Sequence, residues 1–222
     1  MTNITEKEAL NLLLDDIDLK DINNPENKWI KHSIYVGLAA RRIADSLDLN
    51  DNYALIIGYL HDIGRKINHN NHPIDGYKYL KELGYDEIAR YSLTHSFYDC
   101  KIKNTIGLGP DTKEKYDYIN NYLNSIHPSI YDNIVHLCDL FCLETGFTTI
   151  EKRMLDVISR KGMSDNFLNY YNNIQDFKKW IEMTIKRNLY DLFPEIKKED
   201  LKNQQEDYEK IRKLYFNRTK KQ

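Results

Sequence analysis

Apolar residues along the chain recur three and four positions apart far more often than they alternate, the periodicity of helices rather than strands. From Trp29 to Leu47 the positions Ile30, Ile34, Leu38 and Ile43 trace one helical face, with His32 one turn before Val36 on its flank. Asn50 fits an N-cap for the next helix, which the apolar run 54–60 carries to about Ile63, with Gly64 as its stop. His61 and Asp62 then fall in its last turn. Further upstream, Thr5-Glu6-Lys7-Glu8 has the form of a capping box, and Asn24-Pro25 that of an N-cap followed by proline at the first helical position. "IDGYKYLKELG" reads as a helix closed by Gly84, and "DEIARYSLTHSF" as another with His95 near its end.

Downstream, "TIGLGPDTKEK" predicts a loop leading into helices near 111–124 and 128–146, the second containing "IVHLCDLFCLETG". The segment 165–193 predicts an amphipathic helix or a pair of them. Residues 195–222 are highly charged, end in "NRTKKQ", and predict a solvated terminal helix with a frayed end. With 9 Gly, 5 Pro and few alternating runs of β-branched residues, the expected fold class is all-α. We expect a compact multi-helix bundle over residues 1–163 and a C-terminal helical extension, 164–222, packing on it.

Composition narrows the function little. An apolar fraction of 41%, a charged fraction of 30% and a net charge of -2 are ordinary, with no electrostatic footprint for nucleic acid. The 17 Tyr can in principle stack single-stranded bases, but a general bias toward Tyr, Asn, Ile and Lys accounts for them. The first residues lack the cationic start and apolar core of a signal peptide, and no stretch approaches a membrane span, so the expected location is cytoplasmic with no membrane association. Three cysteines, Cys100, Cys138 and Cys142, make no closed disulfide set, as suits a reducing compartment. Cys138 and Cys142, four apart on a predicted helix, read as small core residues rather than a metal pair.

The chemistry gathers at "YLHDIGRK", residues 59–66. An imidazole and a carboxylate at the end of a buried apolar helix are costly without partners, and a cation is the economical partner because it stabilises the carboxylate and fixes the neutral imidazole tautomer. More ligands are needed from other helices, and His32, His72, His95 and Asp139 lie on or beside apolar-periodic segments. His69, His127 and His136 are competitors; His69 lies in a polar loop, and His136 shares a helical face with Asp139.

In order, His32, then "HD" at 61–62, then Asp139 in "HLCDL" resembles the H…HD…D pattern of the HD-domain superfamily of metal-dependent phosphohydrolases, over roughly residues 25–160. "HPIDGYKYL" at 72–80 and "IARYSLTHS" at 88–96 resemble the two further histidine positions of members with two ions. Such members often carry "HH" where this chain has His95-Ser96, which leaves one ligand position to water or another residue. "ETGFTTIEKRMLDVISRKG" at 144–162 resembles the segment following the last aspartate in small bacterial members.

The resemblance implies that His32, His61, Asp62 and Asp139 hold one divalent ion and His72 and His95 a second, with Asp62 bridging. Two ions would lower the pKa of a shared water and clamp a phosphate for in-line attack at phosphorus. Asp62, Arg65 and Lys66 are the expected catalytic residues. Both cations follow the ligand pair and would reach substrate oxygens, Arg65 through a two-pronged contact, although Lys66 equally reads as complementing a helix C-terminus. A ligand set of imidazole and carboxylate without thiolate suits one or two ions of Mn, Fe, Co, Ni or Mg better than a structural zinc.

The expected activity is hydrolysis of a phosphomonoester, phosphodiester or nucleotide; the expected partner is a small phosphorylated substrate, a nucleotide first, and a homodimer is compatible with the sequence. Two other functions remain open: a non-catalytic metal- or nucleotide-binding regulatory module, and a di-iron oxygenase. "TIGLGPD" lacks the lysine and hydroxyl of a phosphate-binding loop, and neither a dinucleotide glycine fingerprint nor a serine elbow is present.

Overall fold

Local capping explains where five of the ten α-helices start. A computed structural model describes residues 4–15 and 19–219, which form ten α-helices, short 3-10 turns and one small hairpin. Helix α1 (Glu6–Leu14) opens on the expected capping box, in which Glu8 N donates to Thr5 Oγ1 (3.2 Å) and Thr5 N to Glu8 Oε2 (2.7 Å). Asn24-Pro25 starts a three-residue 3-10 turn, Pro25–Asn27, instead of a long helix, and α2 (Lys28–Ser46) follows it. The buried face of α2 is Ile30, Val36, Ala39, Ala40 and Ile43, while Ile34 and Leu38 of the expected stripe lie at its margin. Asn50 caps α3 (Asp51–Leu60) as expected, accepting from Tyr53 N at 2.9 Å.

Glycine contacts set how closely these helices meet. A Cβ on Gly58 of α3 would lie 2.5 Å from the Cα of Gly37 on α2, so the two backbones touch. Helix α3 stops at Leu60 rather than Ile63, and the chain tightens through His61 and Asp62 into a 3-10 turn, Ile63–Lys66. Gly64 is therefore no helix stop. A Cβ there would meet the His72 carbonyl oxygen at 2.1 Å and Gly76 N at 2.4 Å, so its role is to admit α4 (His72–Glu82) against the turn. That helix begins at His72, with Pro73 in its first turn, and Gly84 follows its end with φ +84°. On its other side Gly76 abuts α5 (Asp86–Thr94), where an added Cβ would lie 2.1 Å from Ser92 Oγ.

Two expectations in the second half need correction. Helix α6 (Lys113–Ser125) is capped by Thr112, and α7 (Ile130–Asp139) ends at Asp139, not near 146. Residues beyond it form a hairpin, β1 (Cys142–Leu143) antiparallel to β2 (Gly146–Phe147), with Gly146 at φ +129°. Cys138 and Cys142 are thus on different elements, and both are fully buried in the core. Helices α8 (Ile150–Lys161), α9 (Phe167–Ile185) and α10 (Lys198–Thr219) complete the chain, with a left-handed Lys186 (φ 57°) ending α9 before a 3-10 turn.

The terminal helix is not merely solvated. Ile211 is fully buried, Tyr208 stacks on Tyr171 (4.8 Å between centroids), and Asp200 accepts from Thr148 Oγ1 (2.9 Å) and Lys152 Nζ (2.7 Å). Charged residues dominate α10, yet Asp200 in its first turn is paired with Lys152 of α8. The basic end at 220–222 lies outside the described residues, as do the first three residues of the segment weighed as a signal peptide. One contiguous apolar core runs from α1 to α10, with a smaller cluster of Ile74, Leu93, Phe97, Ile102, Ile119 and Leu123 beneath α6. The fold is all-α, and among the described residues no helix is long and apolar enough to cross a membrane.

Candidate metal centre

Three imidazoles are held in the same way. His61, at the end of α3, donates from Nδ1 to the Gly58 carbonyl (2.7 Å); His72, opening α4, to the His69 carbonyl (2.9 Å); His95, ending α5, to the Ser92 carbonyl (2.8 Å). Each bonds the carbonyl three residues earlier, a geometry that a helix terminus provides. A carbonyl only accepts, so Nδ1 carries a proton and Nε2 is the nitrogen turned inward.

Asp62 stands where those lone pairs point. Its Oδ1 is 3.1 Å from His72 Nε2 and 3.5 Å from His95 Nε2, and its Oδ2 is 3.8 Å from His61 Nε2. Burial depresses the pKa of His72, and burial with the neighbouring His61 depresses that of His95 further, so both are neutral near pH 7. Burial would raise Asp62, but the Arg65 guanidinium, 2.5 Å away, holds its carboxyl well below the usual range. Bare nitrogens therefore face a carboxylate oxygen with no proton between them. His61 Nε2 and Asp62 Oδ1 are buried without a hydrogen-bond partner, an arrangement that a cation would relieve.

The other half of the set comes from α2 and α7. His32 Nε2 is 2.9 Å from Oδ1 of Asp139, the last residue of α7. Burial lowers His32, against the bond to Asp139; burial would raise Asp139, but that same bond and the nearby Arg153 hold it well below the usual carboxylate range. Arg153 on α8 reaches Asp139 Oδ1 at 3.5 Å and donates from Nε to its backbone carbonyl at 3.3 Å. The rings of His32 and His61 are 5.4 Å apart, those of His61 and His95 4.9 Å, and those of His95 and His72 5.5 Å, so all six expected residues form one continuous strip.

Within this strip two groups have ligand atoms lying within 4.8 Å of one another: His32, His61 and Asp139, and His61, Asp62 and His95. Ionised carboxylates, neutral imidazoles and no thiolate fit a divalent cation. The 2.9 and 3.1 Å separations match the edge of about 3 Å expected between ligands about 2.1 Å from an octahedral ion.

A cavity of about 430 Å³ opens beside the strip, walled by Arg65, His69, the 105–111 loop, Arg153, Arg160 and Lys161, among others. Arg65 is in this wall, anchored to Asp62. Lys66 is not: its Nζ donates to the Asp15 carbonyl (2.7 Å), away from the cavity, so the substrate contact expected of it is not made from this position. His69 contributes its carbonyl to His72, and the His127 carbonyl accepts from Arg90 (3.0 Å). Ser96 Oγ is 3.2 Å from His95 Nε2, so its hydroxyl reaches the inward nitrogen.

Sequence reasoning undervalued His136. It is buried, donates from Nδ1 to the His95 carbonyl (2.5 Å), and accepts at Nε2 from the Tyr170 hydroxyl (2.7 Å). Burial pushes its pKa down to about 4. Arg153 and Tyr170 were not foreseen at all. Arg153 lay inside "TIEKRMLDV", a stretch whose pattern was noticed without a residue being assigned; nothing in the sequence marked Tyr170.

The family model described as HD domain matches residues 29–142, a little over half of the chain and all six residues of the strip. The chain belongs to the HD domain family, whose members are mostly metal-dependent hydrolases. Searches of curated proteins and of solved structures each give no match.

Proposed function

We propose that this protein is a metal-dependent phosphohydrolase of small phosphorylated substrates, with nucleotides the class to try first. One observation carries the reading: three imidazoles, each tethered at Nδ1 to a backbone carbonyl, turn Nε2 toward the buried Asp62 carboxylate. His32, His61, Asp62, His72, His95 and Asp139 would hold one or two divalent ions of the Mn, Fe, Co, Ni or Mg type. Such ions supply charge neutralisation at phosphorus and a water ionised near neutral pH.

The chain's own groups do the rest. Arg65, braced by Asp62, presents its guanidinium at the cavity wall, where a non-bridging phosphate oxygen can take two of its N–H donors. Arg153 fixes the carboxylate of Asp139 from behind and blocks its rotation. A volume of about 430 Å³ suits a nucleotide-sized ligand. We assign residues 1–163 as the catalytic core and 164–222 as an extension packed on it; three free, buried cysteines suit a cytoplasmic setting.

The test is phosphate release from a panel of nucleotides by metal-free protein reconstituted with Mn²⁺ or Fe²⁺. Release that depends on added metal and disappears in Asp62→Ala is the expected result. No release with any metal or substrate overturns the reading, and oxygen consumption by the iron form under reducing conditions would replace it with redox chemistry.

A further inference from the structure

The cations walling the cavity are nearly all committed to a carboxylate. Arg65 is tied to Asp62 (2.5 Å), Arg153 and Arg160 to Asp156 (2.7 Å each), and Lys115 to Asp111 (2.9 Å). Lys161, the last residue of α8, lines the same cavity, and its side chain has no hydrogen bond or ion pair among the described residues. Arg65, Arg153 and Arg160 line the same cavity, so Lys161 shares one wall with the cations nearest the centre.

The residue is exposed, and the base of its side chain lies beside a tethered loop. A Cβ on Gly107 would lie 3.4 Å from Lys161 Cβ, and the loop carrying Gly107 is fastened by Ser164, which donates from N to the Ile106 carbonyl and from Oγ to the Thr105 carbonyl (both 2.8 Å). Two like charges, Arg65 and Lys161, turned toward one space invite an anion. Other parts of the wall are apolar, with Ile74, Phe97, Ile106, Ile119, Val157 and Leu108, the last 70% exposed.

Phosphate esters differ in the number of oxygens that need a cation. A diester has two terminal oxygens and one charge, whereas a monoester has three and, with a second pKa of about 6, nearly two charges at neutral pH. Resting on the hydrolase reading above, we propose that Lys161 takes the third terminal oxygen of a phosphomonoester dianion, and that the protein acts on monoesters of partly apolar alcohols in preference to diesters. In that reaction water oxygen bonds to phosphorus as the ester P–O bond breaks. The alcohol leaves with one water proton, and the other stays on inorganic phosphate. A lysine suits this role as a compact point charge. Its alternative role, complementing the C-terminal dipole of α8, would not distinguish monoester from diester.

The experiment compares p-nitrophenyl phosphate with bis(p-nitrophenyl) phosphate on the Mn²⁺-reconstituted full chain, for the parent protein, Lys161→Met and Lys161→Arg. Inorganic phosphate is titrated calorimetrically into each protein alongside. The parent should favour the monoester. Lys161→Met should lose about 10- to 100-fold in monoester kcat/KM and in phosphate affinity, the range of one charge-assisted hydrogen bond, and change less than about threefold on the diester. Lys161→Arg should recover most of the loss, which excludes misfolding.

Diester preference in the parent, equal losses on both esters, or phosphate binding indifferent to Lys161→Met would overturn the proposal. The two readings fail separately. Turnover that ignores Lys161 leaves the hydrolase and removes the subsite, whereas phosphate binding that needs Lys161 without turnover of either ester keeps the subsite and removes the hydrolase.

Discussion

The two halves of the metal centre are built on different principles. On the α2–α7 side, His32 Nε2 and Asp139 Oδ1 meet at 2.9 Å with Arg153 behind the carboxylate, and the one buried atom left unpaired is His32 Nδ1, on the far side of the ring. On the α3–α4–α5 side, Asp62 Oδ1 and His61 Nε2 are buried and unpaired, and the nitrogens nearest Asp62 lack the proton that would bond it. The carboxylate of the first half has partners without a cation; that of the second carries an electrostatic deficit that a cation removes. What holds the second half in place is hydrogen bonding and close packing, through the carbonyls of Gly58, His69 and Ser92 and the Gly64–Gly76 contact.

The strongest way to break this contrast is to remove one carboxylate at a time. Asp62→Asn should lower metal-dependent phosphate release by about a thousandfold, the several kcal/mol that a correctly held metal supplies. It should also abolish tight Mn²⁺ binding in a calorimetric titration. Asp139→Asn should lose less affinity, because His61, His72, His95 and Asp62 remain. Equal losses in the two variants would mean that the halves act as one unit.

Acid should weaken the second half through His136. Its folded pKa, about 4 through burial, is below the unfolded value near 6.5, so the unfolded chain binds the extra proton between these values. Stability from this group is fully present above about pH 6.5 and is lost as pH falls toward 4, by up to about 3 kcal/mol. Urea unfolding at pH 7 and pH 4.5 measures it. His136→Asn keeps an N–H donor for the His95 carbonyl but cannot be protonated, so its pH slope should be shallower by nearly one proton. An unchanged slope would show that His136 is solvated.

Metal should stabilise the protein by about 2.7 kcal/mol at one hundred times Kd, or roughly 5–10 °C for a chain of this length. Scanning calorimetry with and without chelator checks this. The shift should vanish in Asp62→Asn and persist, reduced, in His32→Ala. Persistence in both would place the ion elsewhere.

How much of this could be read beforehand follows from the range of each signal. Caps at Thr5 and Asn50, the left-handed Gly84 and the buried cysteines were legible because the cause lies within a few residues. The six residues that the fold gathers into one strip are legible as an ordered set, since each motif carries its own local helix context. Gly64 was misread because a glycine after an apolar run signals both a helix stop and a close backbone contact, and only Gly76, twelve residues on, decides between them. Helix α7 was drawn too long because "LFCLETGF" keeps an apolar spacing that serves a hairpin equally well. Lys66 was misassigned because neighbours in sequence on a tight turn point in different directions.

The smallest effect tests whether the extension belongs to the site or merely covers it. Tyr170, fully buried on α9, donates to His136, which in turn holds the carbonyl of His95. Tyr170→Phe removes one hydroxyl and leaves His136 Nε2 without a donor. The expected cost is about 1 kcal/mol, or about 2–4 °C in Tm. A purely structural role would stop there. If Tyr170 positions His95, the variant should also weaken the ion held with Asp62 and His95 while sparing the one near His32 and Asp139, so Mn²⁺ titration should lose affinity in one step only. A uniform loss in both steps, or in neither, would make Tyr170 a packing residue and confine the centre to the α2–α7 core.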